Sequence, residues 1–233
     1  MNERQQKLLK IITSQYIKTA EPVSSKFIAD AGGFALSPAT IRNVMAELEQ
    51  QGYICQPHTS AGRVPTEKGY RYYTDNFITE LKLSKKQQQA LDGIIRSYDD
   101  FQPQAVKQLA KEIAELSRGT VFVSFADNDF YYTGLSHMFA QPEFAEHELV
   151  YHLSQVIDHL DQVLDKFFPA SGEDVEIVIG SGNPFGKDCS FILARYGLDN
   201  NAGIVGILGP TRMDYQNNVN LIKYSQFLIN KLK

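Results

Sequence analysis

Thr40, Arg42 and Asn43 bring a hydroxyl, a guanidinium and an amide together near the start of one helix. Such groups hydrogen-bond to base edges. Arginine can hold a guanine, and asparagine an adenine, through paired bonds that discriminate by roughly 1–3 kcal/mol each. Ala39 beside them is small enough for close approach. Ser37 and the first backbone N–H groups of the helix can instead hold a phosphate. A second group follows, in which His58, Thr59, Ser60 and Arg63 are placed to touch a DNA backbone or a minor groove. Arg63 fits a phosphate clamp as well as a base reader, and His58 also fits a solvated loop. Lys68 and Arg71 are phosphate contacts or plain helix-surface charges. The competing reading of the first group is an ordinary solvent-facing helix, with Glu47 a solvated charge on it.

Positioning these groups requires a short, well-bounded helix and a hairpin after it. Ser37 is a suitable N-cap, and Pro38 suits the first helical position, where its missing N–H is unpaired anyway. Ile41, Val44, Met45 and Leu48 recur at helical spacing and define one buried face over 38–51. Gly52 stops the helix, as a residue of positive φ does. Upstream, a helix over 3–19 ends at Glu21-Pro22. Ser24 or Ser25 starts a short helix, Lys26 to Ala31, with Phe27 and Ile28 expected to face inward, and Gly32-Gly33 makes the turn to the next helix. Downstream, residues 53–56 and 62–64 are expected to pair as a small wing, and Thr66 caps a helix over 67–82. Helix, turn, helix and wing together are the pattern of a DNA-reading head.

The rest of the chain reads as α+β. A helix over 104–117 precedes strands at 121–125, 131–135, 175–179, 190–196 and 204–208. A long helix spans 142–168, and Asp214 caps a final one over 214–231. The expected organisation is a head over 1–82, a connecting helix or linker over 83–103 and a second domain over 104–233. The candidate pairing elements of a dimer are the helix around 85–98, the 104–117 helix, and the sheet of the second domain or its flanking helices; the first two are favoured because they lie between head and body.

Enzyme chemistry finds no coherent set of residues. GSGNPFGKD (180–188) has the wrong glycine spacing for a phosphate loop and Asp188 where Ser or Thr follows the lysine. His147, His152 and His159 are spaced by five and seven, unlike a zinc-binding HExxH. Cys55 and Cys189 match no metal or redox spacing. No catalytic residues, metal or cofactor are expected, and the acidic residues of 142–165 read as a solvated helix face. No apolar run approaches a membrane span, and the polar N-terminus lacks a signal-peptide core; a cytoplasmic protein is expected. Net charge is −4. Residues 1–75 hold nine Lys/Arg and seven Asp/Glu (+2), against 14 and 20 in the remainder (−6). A mildly basic head on an acidic body is compatible with binding a polyanion, because the local field outweighs the total.

SPATIRNVMAELEQQGY followed by QPHTSAGRVPTEKGYRYYTD resembles the HrcA family, the heat-inducible transcription repressors of bacteria. YYTGLSHMFAQPEF, SGNPFGKDCSFILARYG and GIVGILGPTRMDYQNNVNLIKYSQFLINKL resemble the second domain of the same family, in the same order. The resemblance implies a winged helix-turn-helix followed by a GAF-like domain with an antiparallel sheet. It implies a homodimer on an inverted-repeat operator in double-stranded DNA upstream of chaperone genes. It also implies a GroEL-type chaperonin that helps the repressor reach its active form, so that chaperonin occupied by heat-unfolded clients leaves less active repressor. The alternative is a regulator whose GAF-like domain senses a small molecule. One departure stands out. The family carries a dimerisation domain inserted in its GAF-like part, whereas here only Ala126 to Phe130 separate the strands at 121–125 and 131–135.

Overall fold

A computed structural model describes residues 1–30, 36–79, 82–125, 129–145, 147–158, 174–197 and 202–232. The chain divides into two compact units, Met1–Ile78 and Thr79–Lys233.

In the first unit, α1 (Glu3–Thr19) starts at a capping box. The Asn2 side chain accepts from the Gln5 N–H at 2.9 Å, and the Gln5 side chain accepts from the Asn2 N–H at 3.0 Å. Each bond satisfies a backbone donor that the first helical turn leaves open. Short α2 (Ser25–Asp30) and α3 (Pro38–Gln50) follow. Leu8, Leu9 and Ile12 of α1, Ile28 of α2 and Ile41, Val44, Met45 and Leu48 of α3 form one core with Val23 and Ile54. The Gln5 amide donates to Glu47 at 2.9 Å, binding α1 to α3. Strands β1 (Ile54–Cys55) and β2 (Val64–Pro65) pair antiparallel, and α4 (Glu67–Phe77) ends the unit. Phe27 departs from expectation: it is 41% exposed. A helix of six residues buries one position well, and Ile28 takes it. The turn assigned to Gly32-Gly33 lies outside the described residues.

The second unit is α+β. Its antiparallel sheet has the order β4-β3-β7-β6-β5, with β3 Thr120–Ser124, β4 Phe130–Thr133, β5 Glu176–Ile179, β6 Cys189–Tyr196 and β7 Gly203–Pro210. Helices cover both faces, so β6 and β7 are apolar along nearly their whole length instead of alternating. On one face α6 (Pro103–Ser117) packs against β3, and α9 (Tyr215–Ile229) against β6 and β7. On the other, Phe122, Phe185 and Phe191 cluster with Met138 of α7 (Leu135–Phe139) and Leu153 of α8 (His147–Asp158). Their ring centroids lie 5.4 Å apart for Phe122–Phe185 and for Phe185–Phe191, a spacing that favours aromatic pairs.

The region read as a connection, 83–103, contains α5 (Lys85–Ile95), which packs on α6 and α9 within this unit. Leu91 and Ile95 are buried, Gln87 donates to Asn217 at 2.8 Å and the Tyr224 hydroxyl donates to Asp92 at 2.7 Å. The bond to the Asp92 carboxylate, with burial, raises the pKa of the Tyr224 phenol. The apolar face of α5 is therefore filled by its own chain and is not open to a second copy. Within the helix expected over 142–168, Pro142–Ala145 form a 3-10 turn and α8 covers His147–Asp158; ahead of it Gly134, at φ +85°, starts α7 where a strand was expected to run to 135. Residues 159–168 of that reading lie outside the described part, as do the side chains of His147, His152 and His159.

Cys189 is buried and Cys55 exposed. Burial, helped by Asp188, pushes the Cys189 thiol up to about 12. Burial and Glu49 raise Cys55 as well, against a lowering by Arg63. Since the thiolate is the reactive species, a disulfide-exchange reagent at neutral pH should titrate one thiol in the native chain, slowly, and two after unfolding. Two fast native thiols would contradict this burial.

Candidate nucleic-acid interface

Helix α3 presents Ala39, Arg42, Asn43 and Ala46 to solvent, with its opposite face in the core. The Ser37 hydroxyl caps the helix, accepting from the Thr40 N–H at 3.2 Å, and lies 3.0 Å from the Thr40 hydroxyl. The two hydroxyls are thus engaged with each other at the helix start, and a phosphate arriving there would take over the Thr40 N–H from the cap. Arg42 and Asn43 make no side-chain hydrogen bond or ion pair within the described residues, and their polar groups project from a rigid helix.

Beside α3, the hairpin is held at both ends. At its tip Gln56 donates to the Ala61 carbonyl at 3.1 Å, the Ala61 N–H donates to the His58 carbonyl at 3.0 Å, and Ser60 takes a left-handed φ of 73°. This closes a tight loop that leaves His58, Thr59 and Ser60 exposed. At its base the Arg63 backbone exchanges two 2.9 Å bonds with Val23, adding a third strand segment. A Cβ on Gly62 would stand 2.5 Å from the Val23 carbonyl carbon and oxygen, so only glycine allows this approach.

Three expected DNA contacts are occupied elsewhere. The Arg63 guanidinium holds Glu49 of α3, with Nη2 at 2.9 Å and Nε at 3.1 Å from the same carboxylate oxygen. Lys68 donates to the Gln51 carbonyl at 2.8 Å and sits 4.4 Å over the Tyr53 ring. Arg71 pairs with Glu67 one turn back at 2.8 Å. Arg63 and Lys68 therefore fix the hairpin and α4 onto the end of α3 instead of reaching outward. Sequence reasoning missed Glu49 and Gln56, which place the loop. The available signal for Glu49 was its position off the apolar stripe at the end of the helix, with an opposite charge after the hairpin turn.

Glu49→Gln tests this arrangement. The pair is partly exposed, 21% and 35% for its two side chains, so stability should fall by no more than about 1 kcal/mol. Arg63 becomes free to neutralise a phosphate, and the slope of log affinity against log salt should steepen by about one unit. An unchanged slope would mean that Arg63 is not redirected.

Among the described residues no group of histidine, cysteine and acidic side chains could hold a metal ion, and no helix is long and apolar enough to cross a membrane.

The molecule is thus an α+β chain of two units, the first with an exposed polar helix face beside a braced hairpin. Residues 73–219 match the family model described as the HrcA protein C terminal domain. A protein of Natranaerobius thermophilus named heat-inducible transcription repressor HrcA is 31% identical over 317 aligned positions, covering 92% of each chain. One of the same name from a Nocardioides species is 45% identical over 131 positions, covering 51% of this chain and 39% of that one. A crystal structure described as a hypothetical protein has the same fold, with a TM-score of 0.81 at 18% identity, covering 100% of this chain and 98% of that one. The chain belongs to the HrcA family. The 317 positions aligned with the Natranaerobius protein outnumber the 233 residues of this chain, so part of that relative has no counterpart here.

Proposed function

We propose that this chain is a heat-inducible transcription repressor whose first unit is a winged helix-turn-helix and whose second is GAF-like. Arg42 and Asn43 read bases in a major groove, Ala39 permits close approach, and the Ser37–Thr40 start of α3 lies against a phosphate. His58, Thr59 and Ser60 form the wing tip, which follows the backbone or minor groove. Arg63 and Lys68 act by holding the wing in place, and Arg71 supports α4. The observation that carries the reading is the pair of polar side chains, Arg42 and Asn43, left open on a helix whose neighbours are all braced. The relatives' name supplies heat-inducible repression of transcription; we infer further that the repressed genes are chaperone genes and that two copies bind an inverted-repeat operator. Two heads on such an operator sit about 34 Å apart, or a multiple of that, to meet the same groove face. A GroEL-type chaperonin favours the active form, and its occupation by heat-unfolded chains lowers repression.

A ligand-sensing role gains no support from a cavity of about 410 Å³ among the described residues of the second unit. It opens on the outer side of α6, where Lys111 and Glu115 are exposed, unlike a site that encloses its ligand.

The test is a gel shift on duplex DNA from upstream of the chaperonin genes, with and without chaperonin. Specific retardation, increased by chaperonin, is expected. No specific retardation in either condition would overturn the reading.

A further inference from the structure

A two-fold operator calls for two copies, and part of the Natranaerobius relative has no counterpart in this chain. Only five residues separate β3 from β4. The strands pair directly, with Val121 opposite Thr133 and Ser124 opposite Phe130, and the Phe125 N–H donates to the Asp129 carbonyl at 2.8 Å. That bond sets the phase of the ladder. Residues whose backbone groups face β3 alternate with residues whose groups face away, so Tyr131 points its N–H and C=O inward. Phe130 and Tyr132 point theirs to the outer edge, where no described strand meets them.

Strand edges left open in this way are normally blunted by charge, proline or a bulge. β4 reads Phe130-Tyr131-Tyr132-Thr133, with no charge and no proline. The charges beside it are already paired: Lys107 of α6 lies 3.4 Å from Asp129 and 5.7 Å over the Tyr131 ring. Among the described residues, Tyr132 is one of the few large hydrophobic side chains left exposed, at 44%. The opposite edge strand, β5, begins with Glu176.

We propose that two copies of this chain pair edge to edge through β4, antiparallel, about a two-fold axis at Tyr131. The register follows from the phase of the ladder. Phe130 of each copy exchanges backbone bonds with Tyr132 of the other, which also places an aromatic ring opposite an aromatic ring on one face of the sheet. Tyr131 meets its own symmetry mate in a close, non-hydrogen-bonded pair. Such an arrangement uses the same surface on both copies, as a closed dimer requires. It rests on the repressor reading only for the need of two copies. The strand edge is short, so the dimer dissociates on dilution and is reinforced on an operator that holds both heads.

The test uses the full chain and separates the two readings. Sedimentation equilibrium should show a concentration-dependent monomer–dimer equilibrium for the native chain. Tyr132→Pro removes an outward N–H without touching the β3 pairing, and should remain monomeric while keeping native circular dichroism. In a Cys55→Ser background, Tyr131→Cys should form a disulfide-linked dimer on treatment with diamide, whereas Ser154→Cys should not. A native chain that stays monomeric, a Tyr132→Pro chain that dimerises like the native one, or a Tyr131→Cys chain that fails to cross-link while dimeric would each overturn the β4 interface. Loss of specific DNA binding by a native dimer that cross-links as expected would instead overturn the repressor reading and leave the interface standing.

Discussion

Gly69→Ala is expected to cost the first unit about 3 kcal/mol and to abolish operator binding near its new melting temperature, although Gly69 touches no DNA in this account. The added Cβ would stand 2.1 Å from the Tyr53 carbonyl oxygen, a backbone atom that cannot turn aside. Gly69 lies in the first turn of α4, where its N–H donates to the Thr66 hydroxyl at 3.2 Å. The same hydroxyl donates to the Gly52 carbonyl at 2.6 Å, and the Thr66 N–H donates to Tyr53 at 3.0 Å. This joint binds the end of α3 to the start of α4 and closes the base of the hairpin. Forcing it open displaces the element that braces α3. A unit of this size should lose roughly 12–24 °C in melting temperature, followed by circular dichroism and by amide exchange in α1, α3 and α4. A change below a few degrees would show that α4 shifts at little cost.

Arg212→Met should be the most damaging surface-near change in the second unit. Arg212 lies between β7 and α9 and is only 12% exposed. Its guanidinium donates to both oxygens of Glu143, one of them at 3.2 Å, and to the Gln141 amide oxygen at 2.8 Å. Glu143 and Gln141 belong to the stretch between α7 and α8, so one side chain fastens that stretch to the sheet. Methionine keeps much of the packing and removes the donors, leaving a half-buried carboxylate and an amide unsatisfied. The expected loss is about 3 kcal/mol, or roughly 6–12 °C, with faster amide exchange at α7 and α8 and none at α1 or α3. Adding Glu143→Gln should recover part of it, because the stranded charge is gone. A loss within about 0.5 kcal/mol would make the pair an ordinary exposed salt bridge.

Local rules read much of this chain well. The Ser37, Thr66 and Asp214 caps each accept the backbone N–H expected of them, and the buried stripe of α3 is the one its spacing predicts. These depend on neighbours within one turn. Direction and partnership depended on elements far along the chain. Phe27 faces out because Ile28 has the better core position, and Arg63 faces in because Glu49, fourteen residues earlier, is there to meet it. Helix α4 stops at Phe77 although apolar residues continue, since Ile78 is extended. The packing of α5 on α6 and α9 was masked by its polar SKKQQQ start, and the helix at 135–139 by the strand-like run before it. The open face of α3 was legible as residue types; the partners of Arg63 and Lys68 were not, because the Glu49 carboxylate and the Gln51 carbonyl are brought near them by folding.

Equilibrium binding of native and Arg42→Ala chains to a panel of single-base operator variants shows most directly whether α3 reads bases through Arg42. The native chain should lose roughly 1–3 kcal/mol on replacement of the base that Arg42 contacts. The Arg42→Ala chain should bind the parent operator more weakly by a similar amount and become indifferent to that one base, while its preferences elsewhere stay intact. Uniform weakening across the whole panel, with every preference retained, would make Arg42 a phosphate contact and contradict base reading by α3.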